Sequence, residues 1–426
     1  MKYIALYFIL LLQSASAVNF RIDYSLDTNG FFGTDSNPDV ERREAIEAVA
    51  DFFSEIIQDN FLEIDNSDSQ FPQASWTPRL FNPSTGAIIN LEDNLVIPAN
   101  EVIVFVGARD LPNSVVGQAG PAFFSASGFT PWFERIRGRG QSEADSGTAS
   151  NNTDFALWGG QIAFDTLNAN GTVRNWNFSL TQNLSGIDFI TVALHEFCHI
   201  LGIGTADSWD NLISLNEQFL GQASIRSLGG ENPPIQEVVR GHFADFSTSR
   251  LNSVSFGSFG TPHGTFQAAI MRPSLSTTAG RLTVLSDLDL AGLIDVGWKI
   301  RVPVAVNGFV LTTTPQTSFS WLTSPFINYQ VERSTDLVTY TNLGAEVAGN
   351  GSLASIVDNA PPEERAFYRV RTSPAFPETD SSAVPIPSNL KATDPIDGVY
   401  RKIDSKIIQP IECAICDECK GHHHQK

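Results

Sequence analysis

The alternation of apolar and polar positions predicts a series of strands and helices. Phe20 to Tyr24 alternates and predicts a first strand. Asn37-Pro38 then offers an N-cap and a first helical position. Ile46, Val49, Phe53 and Ile56 follow at helical spacing with charges between them, as expected of an amphipathic helix packed on a sheet. Glu101 to Gly107 is almost wholly apolar and predicts a central buried strand. The Gly-rich stretch Val116 to Gly128 is expected as an edge strand, and Gly159 to Asp165 as a further strand. Ser185 opens the next helix, with Asp188 three residues on as a capping-box-like partner, and Ile187 to Leu194 continues it as an apolar run. Ser286 to Trp298 predicts a capped helix that ends at Gly297 and turns Leu290, Leu293 and Ile294 inward. This order implies an α+β fold, a twisted mixed sheet with helices packed on it, over residues 18–300.

The pattern changes after residue 300. Phe326–Ser334, Tyr340–Leu343 and Ala366–Arg371 read as short strands at turn-spaced intervals, which predicts a small all-β sandwich over 302–373. Residues 374–426 are expected to be a Pro/Ser/Asp-rich linker and a tail bearing Cys413, Cys416, Cys419 and His422 to His424. At the other end, Lys2, the apolar run Tyr3 to Leu12 and the small residues Ala15-Ser16-Ala17 predict a signal peptide over 1–17, and with it a secreted, extracellular protein. No later apolar run is long enough to span a bilayer. The net charge of −20 argues against a nucleic-acid partner, which would need a basic face. Cysteine is too sparse for a disulfide scaffold. Cys198 is expected as a small core residue.

The chemistry is concentrated in His195-Glu196-Phe197-Cys198-His199-Ile200-Leu201-Gly202. Residues four apart share a helix face, so His195 and His199 present two imidazoles side by side, a geometry that suits a cation such as zinc. Glu196, one step round the helix, is placed to act as a general base without being a ligand. The bland alternative is a pair of polar residues at a helix edge. Against it stands the apolar run around them, which buries this face and calls for a partner. One catalytic zinc needs a third ligand, and the seven histidines leave His242 and His263 as candidates outside the motif and the tail. His242 is favoured because aromatic neighbours suggest burial, whereas Thr-Pro-His263-Gly reads as an exposed turn. Met271 is the sole methionine beyond the initiator and is expected in a structural turn beneath the metal. Asp165 and neighbouring acids are a candidate site for structural calcium.

His195-Glu196-x-x-His199-x-x-Gly202, followed by Ile270-Met271-Arg272-Pro273 and a helix ending Asp295-Val296-Gly297-Trp298, resembles the metzincin zinc endopeptidases over roughly Val18 to Lys299. Thr205 stands where the short metzincin pattern places its third histidine. The arrangement is more similar to leishmanolysin-type members, where a long insertion precedes that ligand. On that resemblance His242 is the third ligand and Met271 the Met-turn. The strand Gly159–Asp165 and the Ile-Met-Arg-Pro turn are similar to those of matrixins. Pro273 stands where an astacin-type tyrosine ligand would be, so none is implied. The segment Tyr329–Leu337, with Phe367–Val370 closing it, resembles fibronectin-type-III-like modules, which implies a spacer or a surface or matrix contact. The resemblance implies a protein or peptide substrate bound along an edge strand, with Val116 to Phe124 as the candidate. The competing expectations are an exported adhesion protein on a degenerate protease fold, and zinc-dependent amide hydrolysis of another polymer.

Overall fold

A computed structural model describes residues 18–68, 70–112, 114–141, 153–179, 185–237, 240–250, 266–276, 284–301, 306–311, 316–362, 365–375, 401–404 and 409–416. The expected signal peptide, His263, Cys419 and the terminal histidines lie outside them.

In chain order the strands that build the body are β1 (Asn19–Asp23), β2 (Ser75–Phe81), β3 (Ile88–Asn90), β4 (Glu101–Arg109), β5 (Val115–Pro121), β6 (Phe123–Gly128), β7 (Gly159–Asp165) and β8 (Ser274–Ser276). The principal helices are α1 (Val40–Ile56), α2 (Thr130–Gly138), α3 (Phe189–Ile200) and α4 (Asp287–Val296). Later strands are β9 (Val306–Leu311), β10 (Thr317–Leu322), β11 (Ile327–Ser334), β12 (Leu353–Asp358), β13 (Phe367–Pro374), β14 (Arg401–Asp404) and β15 (Ile411–Cys416). The chain is therefore mixed α+β.

The main sheet runs β1-β4-β7-β5-β15-β8. β1, β4 and β7 are parallel, and β5 is antiparallel to β7. β7 is buried along its whole length, and β4 everywhere except at its two ends, as the apolar runs predicted. α1 and α3 pack on this sheet. Phe53 of α1 stacks on Phe197 of α3 at 5.3 Å, and Phe20 of β1 meets Phe197 edge-on. A second sheet, β14-β6-β2-β3, carries its own apolar cluster around Trp76, Trp132 and Trp158. Arg139 ties the region between the sheets together. Its buried guanidinium donates to the carbonyls of Leu62, Pro98, Glu101 and Leu157.

Several expected boundaries move. Asp39, not Asn37, caps α1, its carboxylate accepting from the Arg42 N–H, and Asn37-Pro38 forms a short bridge instead. Asp188, not Ser185, caps α3 by accepting from the Thr191 N–H at 2.7 Å. The expected edge strand over 116–128 is two strands in two sheets. Pro121, which has no N–H to give a ladder, marks the break. Neither half has a free edge beside the main sheet, because β5 lies between β7 and β15.

Residues 306–374 form a three-stranded sheet, β9-β10-β12, and a second sheet in which β13 and two short strands pair with β11. Trp321, Phe326, Ile327 and Tyr329 join the same apolar core as α3 and α4. The stretch 374–426, expected as linker and tail, contributes β14 and β15, which pair with β6 and with β5 and β8 respectively. Among the described residues no helix is long and apolar enough to cross a membrane.

Asp287, at the start of α4, is buried beneath this junction and accepts from the Ser324 hydroxyl at 3.1 Å. Burial pushes its pKa up to about 7. The folded chain therefore keeps a proton that the unfolded chain releases near pH 4, so this group weakens the fold progressively as pH rises from about 4 to 7. Asp287→Asn is expected to leave stability little changed near pH 4 and to raise it by about 2 kcal/mol at pH 8, after the cost of burying an amide. Urea unfolding at the two pH values checks this.

Candidate metal centre

α3 is a helix buried on every side: all twelve residues from Phe189 to Ile200 are buried. A histidine-bearing helix in that position must satisfy its imidazoles internally. The turn that follows depends on Gly202. Its φ is +100°, and a Cβ there would meet Val296 Cγ1 at 2.8 Å and Ala206 Cβ at 2.9 Å. The Trp298 indole N–H donates to the Leu201 carbonyl at 2.6 Å, and the Thr205 hydroxyl to the His199 carbonyl at 2.7 Å. Thr205 thus satisfies the helix end and is not placed among the clustered histidines.

The chain between Ile203 and His242 is held in place by an aromatic cluster. Trp209, Phe219 and Phe243 pack with ring centroids 4.3 to 5.7 Å apart, and the Trp209 indole donates to the Arg240 carbonyl. The Phe243 N–H donates to the Met271 carbonyl at 2.9 Å, which ties the loop to the turn at 270–271. His242 is thereby fixed against α3.

The result is three buried imidazoles whose Nε2 atoms converge. His195 to His199 is 3.1 Å, His199 to His242 3.1 Å and His195 to His242 3.2 Å. Each Nδ1 is committed elsewhere: His195 to the Ile270 carbonyl at 2.7 Å, His199 to the Ile203 carbonyl at 2.8 Å, and His242 to Gln236 Oε1 at 2.9 Å. Oxygens at those positions only accept, so each Nδ1 carries the proton and each Nε2 is a bare lone pair. Burial drives all three pKa values down, that of His195 to about 4, so the rings are neutral at physiological pH. Three acceptors facing one another repel unless a cation sits among them. Zn–N bonds of about 2.0–2.1 Å at tetrahedral angles place neighbouring nitrogens about 3.3 Å apart, close to the spacing seen here. The donor set fits a zinc-like ion, and this is the one cluster able to hold a metal among the described residues.

The surrounding contacts orient these ligands. Gln236 fixes His242, and its own backbone N–H donates to the His242 carbonyl. Gln236→Ala is expected to weaken zinc binding about 10- to 100-fold, measured by calorimetric titration of the chelator-stripped chain. Asp289, fully buried on α4, accepts from the N–H groups of Ile270 and Met271 at 3.0 Å each and from Ser286 N–H and Oγ at 2.7 Å. It therefore positions the carbonyl that holds His195. Met271 is fully buried in this turn.

Glu196 is also fully buried, and its carboxylate lies against Gly117 of β5, where any Cβ would collide with it. Cys198 is a free, buried thiol whose pKa burial raises, so it remains protonated in the core. Asp165, considered above for calcium, is instead committed to a buried ion pair with Arg174 and to the Leu111 N–H.

Sequence reasoning brought His195, Glu196, His199, His242 and Met271 to one region. It missed Gln236, Asp289 and Gly117. Only Asp289 carried a signal, as the third residue after the Ser286 cap.

Fold and site together define a mixed α+β protein with a buried three-histidine cluster suited to a metal. No protein-family model matches the chain, and neither a curated protein nor a solved structure matches it.

Proposed function

We propose that the chain is an exported zinc endopeptidase, a divergent metzincin whose catalytic body is residues 18–300. The observation that carries this reading is the convergence of three bare Nε2 acceptors, two of them on the helix that also carries the buried Glu196. His195, His199 and His242 hold the ion. Zinc in that position supplies Lewis acidity toward a water nucleophile and a carbonyl oxygen. Glu196 accepts the proton of the attacking water and returns it to the amine that leaves, so the carboxylate is regenerated in each turnover. Its buried setting, with the helix behind it and Gly117 in front, keeps it in one orientation. The outer edge of β5, which pairs with β15 in the fold described, would align an extended peptide over it once freed, with hydrogen bonds that do not depend on substrate sequence. The β-sheets of 306–374 act as a spacer or as a contact to surfaces or matrix.

The test is casein and gelatin hydrolysis by the full chain with zinc. Cleavage that o-phenanthroline abolishes and zinc restores is the expected result. Zinc bound without cleavage of any protein would move the reading to amide hydrolysis of another polymer. A chain that takes up no zinc would leave the exported binding protein.

A further inference from the structure

β5 borders the glutamate, and its outer edge is where an extended peptide would add to the sheet. That edge is taken by the chain's own C-terminus. β15 runs antiparallel to β5, with Ile411 opposite Ala119, Glu412 opposite Gln118, Cys413 opposite Gly117, and a register shift before Ala414 meets Val115. Gly117 is the residue that lies against the Glu196 carboxylate. The other side of β15 runs parallel to β8, pairing Ala414, Ile415 and Cys416 with Ser274, Leu275 and Ser276. β8 begins three residues after Met271, in the segment whose Ile270 carbonyl holds His195.

The approach to β15 crosses the third histidine as well. The Ile411 side chain packs against Gly241, the neighbour of His242, and Pro410 packs against Gly120. β15 contacts α3 itself. Upstream, β14 pairs with residues 125–128 of β6, so the tail is anchored to both sheets of the body. β15 thus lies between two walls, one bordering the base and the other the turn that fixes a ligand. Main-chain pairing on both sides holds it there in the register described.

We propose that residues 409–416 occupy the extended-peptide track of the metal centre, so that the C-terminal tail is an intramolecular competitor of substrate. This rests on the endopeptidase reading above. A tethered strand acts at an effective concentration on the order of millimolar, so a tail with a groove affinity of ~0.1 mM lowers the free groove about tenfold. The tail adds to the sheet by the same backbone hydrogen bonds a substrate would use, so the competition needs no special side chain.

The test compares the zinc-loaded full chain with its Glu412→Pro/Ile415→Pro form. Both substitutions remove ladder N–H groups within β15 and lie outside the catalytic machinery. Three readouts are taken: amide hydrogen exchange, binding of a fluorescent peptide of sequence 409–416, and casein hydrolysis. The expected result is at least tenfold faster exchange over 115–119 and 274–276 in the variant, with α3 protection unchanged. The peptide binds the variant at least tenfold more tightly than the wild type, and hydrolysis rises about tenfold. Unchanged exchange over both segments, or no peptide binding to the variant, overturns the proposal. So does hydrolysis that fails to rise when the wild type cleaves measurably, or trimming of the chain within 411–416 when zinc is added, which would make the tail a substrate. If exchange and peptide binding respond as expected while neither form cleaves any protein, occupancy of the track stands and the endopeptidase reading falls.

Discussion

On the proposed endopeptidase reading, Glu196→Gln is expected to lower peptide hydrolysis by about 10³-fold and to leave zinc content unchanged. Glutamine has the same shape, so the packing against Gly117 and within α3 is preserved. What is lost is an oxygen able to take a proton from water and hand it on. The histidine cluster does not use Glu196 as a ligand, so metal affinity is expected to remain within a few-fold. Measuring kcat on a quenched peptide beside zinc content by elemental analysis separates the two roles. Full activity in a zinc-loaded Glu196→Gln chain would remove the glutamate from the mechanism.

Asp289→Ala is expected to have the largest effect on stability. The carboxylate accepts four hydrogen bonds in a fully buried setting, three of them from backbone N–H groups. Truncation leaves the Ile270, Met271 and Ser286 N–H groups buried without an acceptor, at about 1–3 kcal/mol each. Relaxation and water entry recover part of that, so a net loss of about 3–5 kcal/mol is expected, a fall in Tm on the order of 10 °C. Zinc affinity falls as well, because the turn that presents the Ile270 carbonyl to His195 is no longer held. Thermal unfolding of the metal-free and zinc-loaded forms gives both numbers. A loss under about 1 kcal/mol would mean that the turn is held by other contacts.

The parts of this fold that could be read from the sequence are those whose signal is local and periodic. α3, β4 and β7 announce themselves as apolar runs, and α1 by helical spacing. The two motif histidines follow from a spacing of four on a helix. His242 was reached by elimination and by its aromatic neighbours, and Phe243 does anchor it through Trp209 and Phe219. The errors at helix starts share one cause. Ser185 and Asp188 both satisfy a capping rule, and only the tertiary position of the chain decides between them. The division of 116–128 into β5 and β6 was foreshadowed by Pro121, whose missing N–H forbids a continuous ladder. β15 was not legible at all. Six residues with no marked alternation find partners nearly 300 positions away, and nothing local encodes such pairing. Gln236 was missed for the same reason, since a residue that orients a ligand needs proximity and no fixed spacing; the capping position of Asp289 was local, but its bonds to the 270–271 turn were not.

The most direct measurement is the metal content of the purified full chain and its His242→Ala form, together with X-ray absorption at the zinc edge. The expected result is one zinc per wild-type chain with three nitrogen neighbours at about 2.0 Å, and its loss on His242→Ala. A wild-type chain that binds no zinc, or a His242→Ala chain that binds it with unchanged affinity, would contradict the three-histidine centre.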